Sequence, residues 1–208
     1  LDDATCERAR QPALAALAGR ARLRREELLA AWQAAGLDVG GGRGYHLLHH
    51  LAVTGDVCLG PLAGAEQLVV AAATWIPRPR RLEREEALAE LALRYARSHG
   101  PATAADLARW AGLPVGDARA ALALAAGQLE RVRVDGVEHH LDPRTPQLLA
   151  EHRAEAAGVL LLPGFDELLL GYADRSATLD AAFAPLVVPG GNGVFRATVL
   201  AGGRVVGT

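Results

Sequence analysis

The segment from Pro101 to Asp142 constrains the fold of this chain most strongly, because it carries the full pattern of a helix-turn-helix. Thr103, with Asp106 three residues later, is a capping pattern that opens a short helix. Gly112 closes that helix, and a second helix is predicted from about Val115 to Ala126. Two short helices at this spacing predict a helix-turn-helix unit.

A two-stranded hairpin is predicted directly after the second helix. Its turn is the dipeptide Asp135-Gly136, whose backbone needs positive φ. Counting outward from the turn predicts two facing pairs, Val134 with Val137 and Arg133 with Glu138. A winged helix of this kind usually presents its second helix to a groove of a nucleic-acid duplex, so double-stranded DNA is the first partner to consider. The fold alone does not establish that partner.

The same plan occurs earlier in the chain in a weaker form. One helix is predicted from Arg24 to Ala35 and a second from Tyr45 to Val53, with a glycine-rich connection at 40–44 between them. A strand is expected to begin at Val57, and a returning strand is expected from Leu68 to Ala73. Two copies of one supersecondary unit predict tandem winged helices.

The last third of the chain has a different character. From Gly158 to Thr208, short apolar runs alternate with Gly and Pro, which predicts strands, among them Val159–Leu162 and Val187-Val188. The predicted fold class is therefore α+β, with tandem winged helix-turn-helix units followed by a small β-containing C-terminal domain. The predicted domains are 1–75, 76–145 and 146–208, and a basic, proline-containing linker runs from Ile76 to Arg84.

Length and composition limit the classes of protein that fit. At 208 residues and 50% hydrophobic, the chain can fill about two or three small cores. No apolar run approaches the roughly 20 residues needed to cross a membrane, so no membrane partner is expected. Cys6 and Cys58 match neither a metal knuckle nor a disulfide framework, which predicts unpaired thiols and a cytoplasmic location. A monomer is expected.

The chain contains no Lys and no Met. All 22 of its basic residues are therefore Arg, which excludes a Lys Schiff base and a phosphate-binding Lys within these residues. The chain lacks an initiator Met, starts inside a predicted helix and stops in the returning strand of a hairpin. We therefore expect that both ends are cut from a longer protein.

The net charge argues against DNA binding that depends on neutralising many phosphates. The formal charge is -2 and the isoelectric point is near 6.4, whereas proteins that bind DNA in that way are generally basic. Arginines nevertheless cluster between Arg8 and Arg25 and again in the linker. Two interpretations stay open, a local basic surface and an ordinary solvated helix face.

Three histidines in the segment from Tyr45 to His50 are candidates for a site. His46 lies one helical turn from His49 and His50, close enough to share a divalent metal ion. No carboxylate or thiol ligand follows at metal-site spacing, so no metal site is predicted. The open alternatives are a DNA-facing or interdomain polar contact and a hydrogen-bonded position in the core.

Four acidic residues near the C-terminus suggest the paired carboxylates of glycoside hydrolysis, namely Asp166, Glu167, Asp174 and Asp180. They flank tight turns that contain Gly, so local caps and ion pairs explain them better. No catalytic role is therefore assigned to them.

The loop Gly190–Gly193 has a bare backbone that can approach a phosphate closely. A hairpin-like connection that needs positive φ is the alternative, and the two are compatible. Arg175, Asn192 and Arg196 are predicted to contact nucleic acid beside this loop. The loop lacks the spacing of a dinucleotide-binding fingerprint and the chain has no Walker Lys, so no cofactor is expected.

Three ordered segments resemble one known family. They read GYHLLHHLAVTGDVCLGP from Gly44, LPGFDELLLGYADRS from Leu162, and VVPGGNGVFRATVL from Val187 with GGRVVGT closing the chain. Together they are similar to the winged-helix DNA-binding family that includes the AlkZ and AlkX (YcaQ) type DNA glycosylases, which unhook interstrand crosslinks. The resemblance covers nearly the whole chain.

The resemblance also implies a catalytic motif that this chain lacks. In that family a Gln-x-Gln or Gln-x-Asp motif of a first winged helix positions and activates the water that attacks the glycosidic carbon. Only Gln128-Leu129-Glu130 comes close here, and a polar pair at the start of a strand is its ordinary explanation. We therefore assign no catalytic residue and expect the catalytic unit to lie outside these residues.

The resemblance predicts the DNA-binding portion of a DNA-repair glycosylase that removes N-alkylated purines and unhooks interstrand crosslinks, with damaged double-stranded DNA as its partner. The full-length protein would be a monofunctional glycosylase. The alternatives are a non-catalytic DNA-binding or regulatory protein and a protein-interaction module, which suits the acidic isoelectric point. The residues predicted to contact DNA are Arg43, Tyr45, His46, His49, Arg119, Arg131, Arg133, Arg175, Asn192 and Arg196.

Overall fold

The computed structural model describes residues 2–208 and divides the chain into two compact units, one that ends at Arg81 and one that runs from Leu82 to Thr208. Both units combine helices with small antiparallel sheets, which confirms the predicted α+β class. The division into three domains, with boundaries after residues 75 and 145, stays a prediction. Within the described residues, no helix has both the length and the apolar composition to span a bilayer.

The first unit consists of helices followed by a two-stranded sheet. Its elements are, in chain order, α1 (Asp3–Ala18), α2 (Arg25–Ala34), α3 (Arg43–Val53), β1 (Val57–Ala63), β2 (Glu66–Ala71) and α4 (Ala72–Trp75). The strands are antiparallel and turn at Gly64. The returning strand ends at Ala71 and not at the predicted Ala73, because Ala72 begins α4. Trp32 of α2 is fully buried, and its indole N–H donates to the Ala9 carbonyl of α1 at 2.8 Å. This bond fixes α2 against α1 within the core.

Helix α3 begins at Arg43 and not at the predicted Tyr45. Gly42 adopts a φ of 83° directly before the helix, so the chain turns into the helix earlier than the sequence suggests. Gly44 is buried in the first turn, where an added Cβ would lie 2.3 Å from Leu29 Cδ2. Because the two glycines allow this tight entry, part of the expected connection is helical.

The second unit begins with three helices and a hairpin. These are α5 (Arg84–His99), α6 (Ala104–Ala111), α7 (Val115–Leu124), β3 (Glu130–Val134) and β4 (Val137–Leu141). The capping pattern is confirmed, since Thr103 Oγ1 accepts from the Asp106 amide at 3.1 Å and the Asp106 carboxylate accepts from the Thr103 amide at 2.8 Å. Gly112 closes α6 with a φ of 66°, as predicted. Helix α7 ends at Leu124 and not at Ala126, because Ala126 begins a short 3-10 turn that leads into β3.

The predicted hairpin and its register are confirmed. Both predicted pairs form, and Arg133 faces Glu138 across the strands. The turn residues Asp135 and Gly136 have φ values of 50° and 80°. Directly opposed residues of an antiparallel pair share a face, so this register places charged side chains of both strands on one surface.

The remainder of the second unit is less regular. It contains α8 (Thr145–Ala156), β5 (Val159–Leu162), α9 (Glu167–Leu170), α10 (Ala184–Val187), β6 (Thr198–Ala201) and β7 (Arg204–Gly207). The three strands form one antiparallel sheet in the order β5-β6-β7. The strand predicted at Val187-Val188 is wrong. Val187 ends α10, because Pro185 suits the first turn of a helix and the Val187 side chain is buried in the local core.

Asp106 joins the start of α6 to the C-terminal segment. One carboxylate oxygen accepts from the amide and the hydroxyl of Thr103, at 2.8 and 2.7 Å. The other oxygen accepts from the Ala173 amide at 2.8 Å. Asp106 is only 5% exposed, so water cannot readily replace these bonds when the carboxylate is removed.

Asp106→Ala is expected to lower the free energy of unfolding by about 2–4 kcal/mol, because it removes a buried carboxylate that caps α6 and accepts from the Thr103 amide, the Thr103 hydroxyl and the Ala173 amide. Asp117→Ala is the matched control on α7, since it removes only a solvent-accessible ion pair with Arg84 and should cost at most about 1 kcal/mol. Urea unfolding of both variants and the wild type measures the two losses. Equal losses would contradict the anchoring role of Asp106.

Candidate nucleic-acid interface

A groove of about 500 Å³ lies between helix α7 and the hairpin β3-β4. Arg119 and Ala123 line it from α7, Arg131 lines it from β3, and Glu138 and His140 line it from β4. We refer to the space between these five residues as the helix-wing groove. The structure therefore brings together Arg119 and Arg131, two of the predicted DNA contacts.

The packing of α7 exposes Arg119 at this groove. Ala118, Ala121 and Leu122 are buried in the core of the second unit, whereas Arg119 is exposed. Within the described residues, Arg119 makes no ion pair. Its guanidinium is therefore available to an anion from outside the chain.

Four polar side chains share one face of the hairpin. Arg131 is opposite His140 and Arg133 is opposite Glu138 in the strand register. Side chains two residues apart on a strand project to the same side, so the four form one block. The three predicted contacts thus lie on α7, which carries Arg119, and on β3, which carries Arg131 and Arg133.

Glu138 lies between Arg131 and His140. Its Oε2 is 3.8 Å from Arg131 Nη1, and its Oε1 is 3.5 Å from His140 Nε2. The side chain of Arg131 is 64% exposed and that of Glu138 is 44% exposed, whereas that of His140 is only 11% exposed. The Arg131 pair is therefore open to water and contributes little to stability.

His140 is neutral at pH 7 in this environment. Burial lowers its pKa, an effect that the charge of Glu138 opposes and the charges of Arg131 and His139 reinforce. Its Nδ1 is buried and has no hydrogen-bond partner within the described residues. The geometry therefore favours the tautomer that carries its proton on Nε2, toward the Glu138 carboxylate.

The predicted contacts of the first unit all lie on the exposed side of α3. The exposed side carries Arg43, Tyr45, His46 and His49, and the buried side carries Leu47, Leu48 and Leu51. This exposure excludes a core position for His46 and His49. Among the described residues, no group of three or more His, Cys, Asp or Glu side chains is arranged to hold a metal ion.

The predicted contacts near the C-terminus occupy different environments. Arg175 Nε donates to the Leu169 carbonyl, and its guanidinium carbon lies 5.1 Å above the ring of Phe195. Burial, followed by the nearby charge of Arg109, lowers the pKa of Arg175. Arg175 therefore packs within the C-terminal segment, and a direct role in DNA binding stays a prediction.

Asn192 and Arg196 are exposed, and their contact with DNA also stays a prediction. The Asn192 side chain accepts from the Val194 amide at 2.9 Å. Gly190, Gly191 and Gly193 all have positive φ, as expected for this loop. The loop thus has the positive φ values that a tight, hairpin-like connection requires.

Three of the four acidic residues near the C-terminus, Asp166, Asp174 and Asp180, act as local caps, as predicted, whereas Glu167 does not. Asp166 accepts from the Leu168 amide at 2.9 Å, and Asp180 accepts from the Ala182 amide at 2.8 Å. The Asp174 carboxylate accepts from Ser176 in the same way, which lowers the pKa of Asp174. These carboxylates stabilise turns.

One cluster that the sequence did not predict joins α5 and α6 to the C-terminal segment. His99 Nε2 lies 3.2 Å from Glu167 Oε2, and Trp110 Nε1 donates to the same oxygen at 3.1 Å. Tyr95 donates from its hydroxyl to the Gly171 carbonyl at 2.6 Å, and burial raises the pKa of Tyr95. The cluster fixes α5 and α6 against the C-terminal segment of the second unit.

Comparison with known proteins places the chain in a family. The model of the DNA glycosylase AlkZ-like family matches residues 1–208, so the chain belongs to the AlkZ-like DNA glycosylase family. It is similar to the structure of the Streptomyces sahachiroi DNA glycosylase AlkZ, with a TM-score of 0.76 and 25% sequence identity. The match covers 97% of this chain and 56% of that one, so this chain spans little more than half of the AlkZ structure. No curated protein matches the chain.

His140→Gln is expected to reduce the pH dependence of stability. Because burial makes the pKa of His140 lower in the folded state than the unfolded value of about 6.5, the unfolded chain takes up a proton first as the pH falls. The contribution of neutral His140 to the free energy of unfolding is therefore complete above about pH 6.5. It decreases as the pH falls toward the lowered pKa of the folded state. Urea unfolding at about pH 7.5 and 5.5 measures this difference.

His139→Gln is the control, because His139 lies next to His140 on β4 and is less buried. This variant should keep most of the wild-type pH dependence. An identical pH dependence in wild type and His140→Gln would contradict the assignment of a buried, neutral His140.

Proposed function

We propose that this chain supplies the duplex-DNA-binding part of a DNA-repair glycosylase. The helix-wing groove carries the proposal, since Arg119 and Arg131 line it from the recognition helix and from the wing. Guanidinium groups that converge from two elements suit a phosphodiester backbone, which binds Arg through charge-assisted hydrogen bonds. Membership of the AlkZ-like DNA glycosylase family supports the same partner.

The first unit supports a second contact of the same kind. Its helix α3 presents Arg43, Tyr45, His46 and His49 to solvent. An aromatic side chain among basic and imidazole groups suits the sugar and phosphate edge of a duplex. We therefore infer that the two units act as tandem winged helices on damaged double-stranded DNA.

The chemistry we propose for the full protein is hydrolysis of the glycosidic bond of an N-alkylated purine, with unhooking of interstrand crosslinks as the physiological result. An activated water attacks the sugar carbon and the modified base leaves, so the product is an abasic site. The sequence of this chain contains neither the Gln-x-Gln nor the Gln-x-Asp motif that its resemblance to the family implies. Its residues would therefore bind and orient the duplex.

The composition of this chain supports a monofunctional reaction and a cytoplasmic location, and we propose a monomer. No Lys is present to form the Schiff base that strand cleavage requires. Cys6 and Cys58 are both free thiols, which suits a reducing compartment. The alternative is a non-catalytic DNA-binding or regulatory protein that uses the same groove for recognition alone.

Binding of the chain to duplex DNA is expected to weaken steeply as salt concentration rises. Arg119→Ala and Arg43→Ala should each reduce the slope of log K against log salt by about one unit, because each variant removes one phosphate contact. Fluorescence anisotropy with a labelled duplex at several salt concentrations measures the slopes.

Arg94→Ala is the matched control for this series. Arg94 lies on α5, outside the helix-wing groove, and pairs with Glu90 at 2.7 Å. This variant should keep the wild-type slope. Binding that is independent of salt, or no binding at low salt, would refute the proposed DNA interface.

A further inference from the structure

Glu138 forms an ion pair with Arg131, the wing residue for which we propose a contact with a DNA phosphate. The carboxylate lies 3.8 Å from the Arg131 guanidinium, and both side chains are largely open to water. Carboxylate and phosphate are the two oxyanions that a guanidinium recognises in the same geometry. An incoming phosphate and the Glu138 carboxylate therefore compete for one partner.

We infer that Glu138 is a built-in competitor of the DNA backbone, which holds Arg131 in the free protein and is displaced when duplex DNA enters the helix-wing groove. This inference rests on the proposed function, because it concerns the same groove. It assigns to Glu138 a role in setting which polyanions bind.

The surroundings of Glu138 argue for competition and against a structural role. Of the four side chains on this face of the hairpin, Glu138 is the acid, and it faces Arg133 and contacts Arg131 and His140. The contact to His140 Nε2 is 3.5 Å long, which is beyond the usual range for a strong hydrogen bond. The hairpin register is already set by its turn and its backbone bonds.

Competition at Arg131 makes the groove selective for a dense polyanion. A carboxylate tethered next to Arg131 has a high effective concentration, so an isolated phosphate displaces it poorly. Arg119 and Arg133 make no ion pair within the described residues. A duplex that displaces Glu138 from Arg131 would also contact these two arginines, so it gains several contacts for the one pair that is broken. Glu138 thus raises the charge density that a ligand must have in order to bind in the helix-wing groove.

The test compares Glu138→Gln with Glu130→Gln in the chain of residues 1–208. Both residues are exposed and lie on the same hairpin, but Glu130 faces Leu141 and does not line the groove. At one fixed low salt concentration, Glu138→Gln is expected to tighten binding of a labelled duplex by about two- to fivefold more than Glu130→Gln does. In an Arg131→Ala background, the extra gain from Glu138→Gln should disappear.

Each other outcome overturns the inference. Equal gains from the two variants, with salt-dependent binding by the wild type, would show that only the overall charge matters and would leave the DNA interface standing. A gain from Glu138→Gln that persists without Arg131 would show that the two residues do not compete through this pair. Absence of salt-dependent binding by the wild type would remove both the inference and the proposed function.

Discussion

The packing of α7 against α5 is the interaction on which the helix-wing groove depends. Ala118 and Ala121 of α7 and Ala92 and Ala96 of α5 are buried in one core. Small side chains let two helices approach closely, and larger ones would force α7 outward. This packing determines which side of α7 is solvent-exposed, so it also determines that Arg119 faces the hairpin. The position of Arg119 thus follows from the packing of the apolar side of α7.

The net charge of the chain is a poor guide to this surface, because many arginines already have acidic partners. Arg10 pairs with Asp56 at 2.7 Å, and Arg97 pairs with Asp142 at 3.2 Å. These pairs hold elements of one unit together and offer little charge to a ligand. Arg119, Arg131 and Arg133 are different, since Arg131 pairs with the exposed Glu138 and the other two make no ion pair within the described residues. A protein with a formal charge of -2 can therefore present a locally basic groove.

The local elements of the fold could be predicted from the sequence, and the long-range contacts could not. The capping pair Thr103 and Asp106 and the turn Asp135-Gly136 each act within a few residues, so pattern alone places them. Glu167 meets His99 and Trp110 only in the folded unit, and no spacing in the sequence signals a contact across 68 or 57 residues. Val187 shows the same limit, because burial in a local core placed an apolar run in a short helix. The exposure of Arg119 was predictable from its helix, whereas the contact of Glu138 with His140 required the structure.

We propose that residues 1–208 bind duplex DNA and do not themselves release the modified base. The most direct measurement is base release from a duplex that carries N7-alkylguanine, with residues 1–208 and a longer protein that contains them assayed side by side. We expect residues 1–208 to bind this duplex without releasing the base, and the longer protein to release the base and leave an uncut backbone at an abasic site. Base release by residues 1–208 alone would contradict the account, and so would an inactive longer protein that is folded and tested on several N-alkylated substrates.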